Sequence, residues 1–325
     1  MSKAVRIHAQ GGPEVLVYED VEVGDPGPGE IRIKQTAIGL NFIDVYHRSG
    51  LYPMTDFPLA IGMEAAGVVD ALGDGVSGLQ AGDRIAYAAP PIGAYAEVRL
   101  MPADRVIKLP DEISDQTAAA MMLQGMTVEY LIRRTYEVQS GETVLFHAVA
   151  GGVGSIACQW LKHLGATVIG TVGSPEKAEL ARAHGCDHPI NYRQENFTEK
   201  VRELTGGAGV PVVYDSIGKD TWEASLDCLQ PRGLMVTFGN ASGPVDAVNL
   251  GILAQKGSLY VTRPTLMTYT ASRADLEASA KALFEVVLSG AVKIEVHQTY
   301  PLAEAAQAHR DLEARKTTGS TILIP

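Results

Sequence analysis

The chain has 325 residues, 46% hydrophobic and 20% charged, the balance of a globular protein with room for two domains and not of a disordered or fibrous one. Its 27 Lys and Arg against 38 Asp and Glu leave a formal charge of −11, an acidic surface that repels phosphate, so nucleic acid and anionic membranes are not expected as main partners. No apolar run reaches the ~18 residues of a membrane-spanning helix, and Met1-Ser-Lys-Ala-Val-Arg6 alternates like a strand, without the apolar stretch of a secretory signal.

The N-terminal third reads as short strands broken by turns. Ile31-Arg-Ile-Lys-Gln-Thr-Ala-Ile38 begins with period-two alternation after the turn cluster Gly24-Asp-Pro-Gly-Pro-Gly29, and further turn signals fall at Gly73-Asp-Gly75, Gly82-Asp83 and Pro90-Pro91. An irregular, barrel-like β domain is expected there. Beyond residue 125 the pattern changes. Thr143-Val-Leu-Phe-His147 is a short apolar strand, and from Gly152 the residues Val153, Ile156, Ala157, Trp160, Leu161 and Leu164 keep helical spacing up to a stop at Gly165. Thr167-Val-Ile-Gly-Thr171 is the next strand. Ser174-Pro175 then places a capping hydroxyl and a first-turn proline at a second helix, closed by Gly185.

Val210-Pro-Val-Val-Tyr214, Gly233-Leu-Met-Val-Thr-Phe238 and Ser258-Leu-Tyr-Val-Thr262 follow as strands. Repeated strand–helix units need a parallel sheet with helices on both faces. The expected fold class is therefore α/β: a doubly wound domain over 125–263, inserted in a β-rich domain made of 1–124 and the tail 264–325. That tail carries an amphipathic helix near Arg273 to Leu288 and a last strand, Thr321-Ile-Leu-Ile324.

The strongest single signal is His147-Ala-Val-Ala-Gly151-Gly152-Val153-Gly154, which follows a strand and opens a helix. Glycines there let the backbone approach a pyrophosphate, which the first amides of the helix then face. The first glycine of the G-x-G-x-x-G fingerprint is replaced by Val149. At the tip of the second strand, where an NAD site carries an acid for the ribose hydroxyls, the chain has Gly173, followed by Ser174, Pro175, Glu176 and Lys177. A hydroxyl and an ammonium suit a 2′-phosphate, so NADP(H) is expected in preference to NAD(H). A plain structural turn and an ordinary solvated Lys177 are the bland alternatives.

No metal is expected. The eight histidines, His8, His47 and His147 among them, show no ligand spacing, and Cys158, Cys186 and Cys228 are odd in number and far apart. Those cysteines read as buried small hydrophobes in a reducing compartment, the cytoplasm. Without zinc to stabilise an alkoxide, hydride transfer suits an acceptor reduced without that help. A quinone is one, because its product oxyanion is delocalised; an activated alkene is the other, and needs a proton on carbon.

These residues are familiar as a set. Gly11-Gly-Pro-Glu-Val15, Asn41-Phe-Ile-Asp-Val-Tyr46, Arg48-Ser-Gly-Leu-Tyr-Pro53, Gly62-Met-Glu-Ala-Ala-Gly67 and Ala150-Gly-Gly-Val-Gly154 with Gln159 and Lys162 run end to end along the chain. In them the chain resembles the zinc-independent quinone oxidoreductases, the zeta-crystallin group of the medium-chain dehydrogenase/reductase superfamily. Zinc-dependent relatives have a cysteine where Asn41 stands and a histidine where Met63 stands, and they carry a four-cysteine lobe absent here. Val149 departs from the pattern, which has a small residue, and stands where it would crowd a pyrophosphate.

The resemblance implies a GroES-like domain holding an inserted Rossmann domain, with NADPH in a cleft between them. It implies cofactor contacts from Asn41, Phe42, Ile43, Asp44, Val45 and Tyr46 on the nicotinamide side, Thr127 and Tyr130 at the junction, and Gly152 and Val153 on the pyrophosphate. Gly173, Ser174, Pro175, Glu176, Lys177 and Tyr192 would surround the 2′-phosphate, with Ser216 nearby. Phe238, Gly239, Asn240, Ala241, Arg263, Pro264, Thr265, Leu266 and Arg315 would close the far wall.

For catalysis, Asn41 is expected to donate to the quinone oxygen, and Tyr46 and Tyr52 to offer an aromatic face and a phenolic proton, plain packing being the alternative for both tyrosines. Asp44 is expected to fix the loop. The implied activity is NADPH-dependent quinone reduction, in some members one electron at a time, giving a semiquinone. An enone or enoyl-thioester reductase, and a nucleotide-binding protein with a structural or regulatory role, stay open. A homodimer joined through the sheet edge at 258–262 is expected, since exposed edges are usually paired or covered.

Overall fold

The computed structural model describes residues 1–325. In chain order the elements are β1 (Ser2–Ile7), β2 (Leu16–Val21), β3 (Glu30–Leu40), α1 (Phe42–Ser49), β4 (Leu59–Ala60), β5 (Glu64–Leu72), β6 (Arg84–Ala88), β7 (Val98–Pro102), β8 (Ile107–Lys108), α2 (Asp115–Ala119) and α3 (Met122–Tyr130). Then come β9 (Thr143–Phe146), α4 (Gly152–His163), β10 (Thr167–Val172), α5 (Pro175–Ala183), β11 (His188–Asn191), α6 (Phe197–Leu204), β12 (Val210–Asp215), α7 (Trp222–Asp227), β13 (Leu229–Thr237), α8 (Gly251–Gln255), β14 (Tyr260–Thr262) and α9 (Leu266–Tyr269). The last are α10 (Arg273–Leu288), β15 (Val296–Pro301), α11 (Ala305–Glu313) and β16 (Ser320–Ile324).

The chain forms two compact units: unit 1 holds Met1–Met126, Thr270–Phe284 and Ile294–Pro325, and unit 2 holds Thr127–Tyr269 and Glu285–Lys293. This division differs from the expected one by a few residues at each crossing and by one whole segment. Residues 285–293 go with unit 2, where the Gln159 amide brackets Lys293, donating to its carbonyl at 3.0 Å and accepting from its N–H at 2.8 Å.

Unit 1 is built on a seven-stranded sheet in the order β15-β16-β3-β5-β6-β8, with β7 also pairing β3, and a three-stranded sheet β2-β1-β4. β3 is its spine because Ile31, Ile33, Gln35 and Ala37 alternate onto one buried face. Ile31 and Ile33 pack with Ile85, Tyr87, Tyr95 and Leu323 in one apolar core. The segment after β3 was not expected to be helical. It turns at Asn41, in extended conformation, runs as α1, and stops at Gly50 with φ 91°.

Unit 2 is a six-stranded, all-parallel sheet in the order β11-β10-β9-β12-β13-β14. The doubly wound domain expected from the strand–helix alternation is there, over a core that includes Leu145, Ile169, Val213 and Met235. Chain progression reverses between β9 and β12, which opens the carboxyl ends of those strands to a ligand. Two strands differ from expectation in extent. β13 begins at Leu229, because an irregularity in its pairing with β12 lets Leu229 sit opposite Val210. β14 begins only at Tyr260, because Ser258 is left-handed at φ 58°. The three cysteines are free and buried, as expected.

Candidate functional site

The glycine turn in unit 2 joins β9 to α4. Ala148 is left-handed at φ 55°, and Gly151 N donates to Ala148 O at 3.0 Å. A β-carbon on Gly154 would stand 2.3 Å from Ala148 O and 2.6 Å from Val149 Cα, so only glycine lets the helix lie this close to the turn. No side chain caps α4 and its first turn holds no acid, whereas Ser174 caps α5 and Asn196 caps α6. The amides at the start of α4 thus face outward as a ready anion site. Val149 does not crowd it. Its side chain is fully buried and fills the space over Gly170 of β10, where a β-carbon would meet the Val149 methyls at 2.5 and 2.6 Å.

A buried polar group, which sequence reasoning missed, ties this turn to its neighbours. His147 Nδ1 lies 2.9 Å from Thr171 Oγ1 and Nε2 lies 2.9 Å from Ser225 Oγ. Thr171 Oγ1 accepts from Ala148 N at 3.2 Å, and Ser225 Oγ donates to Asp215 Oδ2 at 3.1 Å. The ends of β9, β10 and β12 are fixed by one set of side chains. Burial holds the His147 pKa below its ordinary value, against the pull of the Asp215 charge.

Gly173, Ser174, Lys177 and Tyr192 come together at the tips of β10 and β11, where Tyr192 N donates to Val172 O at 3.1 Å. A β-carbon at Gly173 would be 2.9 Å from the Tyr192 hydroxyl, so the place an acid would take is filled by the phenol. Ser174 Oγ accepts from Lys177 N at 3.3 Å, which leaves its hydrogen to donate. Its hydroxyl also holds the Glu176 carboxyl below the usual range. Pro175 occupies the first turn of α5.

Ser216, Phe238, Gly239, Asn240, Ala241 and Arg263 gather at the tips of β12, β13 and β14. A β-carbon on Gly239 would press on Ser216 O at 2.4 Å, and Ala241 N donates to that oxygen at 3.2 Å. Arg263 Nη1 donates to Gly239 O at 3.1 Å, and with the Asn240 amide turned to satisfy both its ends, Asn240 Oδ1 accepts from Arg263 Nη2 at 3.0 Å. Pro264 and Leu266 are buried and Thr265 exposed. Thr127 and Tyr130 are buried too, and the Tyr130 ring stacks on Tyr269 at 4.5 Å. Arg315, in unit 1, is exposed and left-handed at φ 57°.

Unit 1 contributes Asn41 and α1. Asn41 N donates to Asp44 Oδ2 at 2.9 Å, and Tyr95 Oη donates to the same oxygen at 3.2 Å. Behind Tyr95 stand His309, 3.0 Å from its hydroxyl, and Arg48, which forms a bidentate pair with Glu313 at 2.8 Å. Burial raises the Asp44 pKa to about 7, and burial with the Arg48 charge lowers His309 to about 3. Asp44 fixes the loop through these bonds, and its fully buried carboxyl is closed to a nucleotide, unlike the half-buried Phe42 and Ile43; Val45 is buried to about the same degree as Asn41 and Tyr46. Tyr46 and Tyr52 meet edge to face at 5.4 Å. No group of three or more His, Cys, Asp or Glu is gathered to hold a metal ion.

Residues 152–283 match the zinc-binding dehydrogenase family and residues 27–111 the alcohol dehydrogenase GroES-like domain. A quinone oxidoreductase of Pseudomonas aeruginosa is 57% identical over 325 residues, with both chains covered in full. The chain belongs to the quinone oxidoreductase family. The structure of the Escherichia coli quinone oxidoreductase complexed with NADPH superposes with a TM-score of 0.98 at 53% identity, over 99% of this chain and 100% of that one. A 2-haloacrylate reductase of Burkholderia is 48% identical, over 100% of this chain and 99% of its own length. Zinc stands in the name of the matched dehydrogenase family, yet this chain has Asn41 and Met63 at the two positions noted above, neither of them an anionic or imidazole ligand.

Proposed function

We propose that the chain reduces quinones with NADPH. The observation that carries the nucleotide half is the uncapped, acid-free start of α4, brought close by Gly154. The residues present fit NADP(H): amides of Gly152 and Val153 for the pyrophosphate, Ser174 and Lys177 for the 2′-phosphate, and Gly173 with Tyr192 in place of an acid. The bound nucleotide supplies the reducing equivalents. The chain's own residues hold it and set the field at the acceptor. The spare Asn41 N–H faces the quinone oxygen on which charge develops, and a fixed donor there favours the transition state. Tyr46 and Tyr52 offer ring faces to the quinone, with the Tyr52 hydroxyl as the candidate proton donor.

The test is NADPH consumption with 1,4-benzoquinone, naphthoquinones, 2-alkenals, an enoyl thioester and a 2-haloacrylate in parallel. Turnover of quinones is expected. A second reading, reduction of an electron-poor alkene, draws support from the Burkholderia relative, and turnover of alkenes without quinones would establish it instead. Tight NADPH binding with no turnover at all would favour a non-catalytic role.

The same proposal includes a homodimer through the β14 edge and residence in the cytoplasm. β14 pairs only with β13 and leaves Tyr260 and Val261 62% and 37% exposed, a surface that favours pairing with a second copy. Sedimentation of V261K should give a monomer.

A further inference from the structure

The Asn41 amide is gripped at both ends by buried side chains of unit 1. Nδ2 donates to Glu64 Oε2 at 2.7 Å, and Oδ1 accepts from Gln124 Nε2 at 3.1 Å. Gln124 Oε1 then lies 2.9 Å from Ser320 Oγ, which is also 2.9 Å from Ala120 O. Glu64 Oε1 accepts from Leu123 N at 2.7 Å. The fold keeps room for this carboxyl, since a β-carbon at Gly39 would stand 2.3 Å from Glu64 Oε2.

An amide offers a donor and an acceptor of almost the same shape, and a hydroxyl serves as either. The row can therefore run the other way with hardly any movement. In that reversed state Ser320 donates to Ala120 O, Gln124 Nε2 donates to Ser320, and Asn41 Nδ2 donates to Gln124. Asn41 Oδ1 then needs a donor at position 64. An ionised carboxylate has none, whereas a glutamine or a protonated glutamate has one. A glutamine at 64 would satisfy every partner in the reversed row, Leu123 N included, so filling the space does not require a carboxyl. A carboxyl at this depth is costly.

We infer that Glu64 is a positioning residue that sets the direction of the Asn41 amide: its carboxylate draws one Asn41 N–H to itself and aims the other at the quinone oxygen, and a proton on Glu64 reverses the row. This rests on the reading of Asn41 as the group that meets the quinone. Burial raises the Glu64 pKa to about 8, with the Asp44 charge from α1 adding to it. From β6 the Tyr87 phenol also faces Glu64, and Arg99 of β7 donates to that phenol at 3.3 Å.

The experiment uses the full chain with its nucleotide and three variants: E64Q, Q124E and E64Q/Q124E. Side-chain amide signals of Asn41 and Gln124 report direction, and kcat with 1,4-benzoquinone across about pH 6 to pH 10 reports its consequence. The wild type should gain activity as Glu64 ionises. E64Q should lose about tenfold in kcat at the alkaline end, with KM for NADPH unchanged and the pH profile flattened. Its Asn41 signals should match those of the wild type at acid pH.

Q124E puts an acceptor at both ends of Asn41 and should melt early. The double variant should recover stability and still keep the low kcat of E64Q, which a merely structural role would not predict. Unmoved Asn41 signals in E64Q, or a fully active double variant, would overturn the inference. Reversed signals with unchanged kcat would uphold the direction switch and instead sink the reading of Asn41 as the quinone's partner.

Discussion

The two candidate sites are made from different materials. In unit 2 the nucleotide end is mostly backbone: free amides at the start of α4, glycines at 151, 152 and 154, and a glycine at 173. In unit 1 the end around Asn41 is mostly side chain, with two carboxyls, two amides and a hydroxyl buried within hydrogen-bonding reach of one another. Backbone donors have fixed direction and no titration, which suits holding a constant anion. Side-chain amides and carboxyls have reversible direction and charge, which suits tuning a reaction. The first kind of site is broken by added volume, the second by altered protonation.

The largest effect should come from adding volume to the backbone site. In G154A a single methyl meets Ala148 O and Val149 Cα, neither of which is the end of a flexible side chain. NADPH affinity measured by fluorescence titration should fall about a hundredfold, as a forced shift of the turn implies. A wild-type affinity would mean the helix can move away freely.

Protonation is the lever in unit 1. Asp44 rises from 3.8 to about 7 because it is buried, and its Oδ1 has no partner. The native state therefore holds a proton that the unfolded chain releases. The stability this gives is fully present below the ordinary carboxyl pKa near 3.8 and is lost as pH climbs through about 7. D44N keeps an acceptor for Asn41 N and Tyr95 and never ionises. Urea unfolding should show D44N losing on the order of 2 kcal/mol less than the wild type between about pH 5 and pH 8.5, the buried Glu64, raised to about 8, adding the same further loss to both. Parallel slopes would mean that Asp44 is not the group responsible.

A smaller effect is expected at the 2′-phosphate. K177A should cost NADPH binding about 1–3 kcal/mol, the worth of one charge-assisted contact, and leave NADH binding nearly as it was. An equal loss with both nucleotides would remove Lys177 from the reading of the 2′-phosphate.

The same contrast governs how much could be read from the sequence. The unit 2 site is local: strand, glycines and helix follow within twenty residues, and Gly173 to Lys177 lie at the next strand tip. Periodicity and glycine placement find such a site directly. The unit 1 site joins residues 41, 64, 124 and 320, brought together by antiparallel pairing of β3 with β5 and of β16 with β3. No spacing rule spans those separations. Asn41 was accessible only through family motifs, and Glu64 stood in one of them without a role. Gln124 and Ser320 gave no signal. α1 was missed because its buried face holds Asp44, His47 and Arg48, polar residues that hide a helical stripe.

Val149 allows the smallest and sharpest separation of packing from binding. From sequence alone its branched side chain stands against the pyrophosphate; in the fold it is fully buried and lies over Gly170. V149A should then cost about 1–2 kcal/mol of stability, a core deletion of two methyls, and leave the NADPH dissociation constant unchanged. G170A should be destabilising for the opposite reason, since its methyl would meet both Val149 methyls. Combining the two changes should recover part of the loss, giving a favourable coupling between neighbours. Recovery stays partial because Cys186 Sγ would still lie 2.8 Å from the added carbon. If V149A instead tightened NADPH binding, the side chain would be pressing on the nucleotide after all, and the division between a backbone site and a buried filler would fail at this residue.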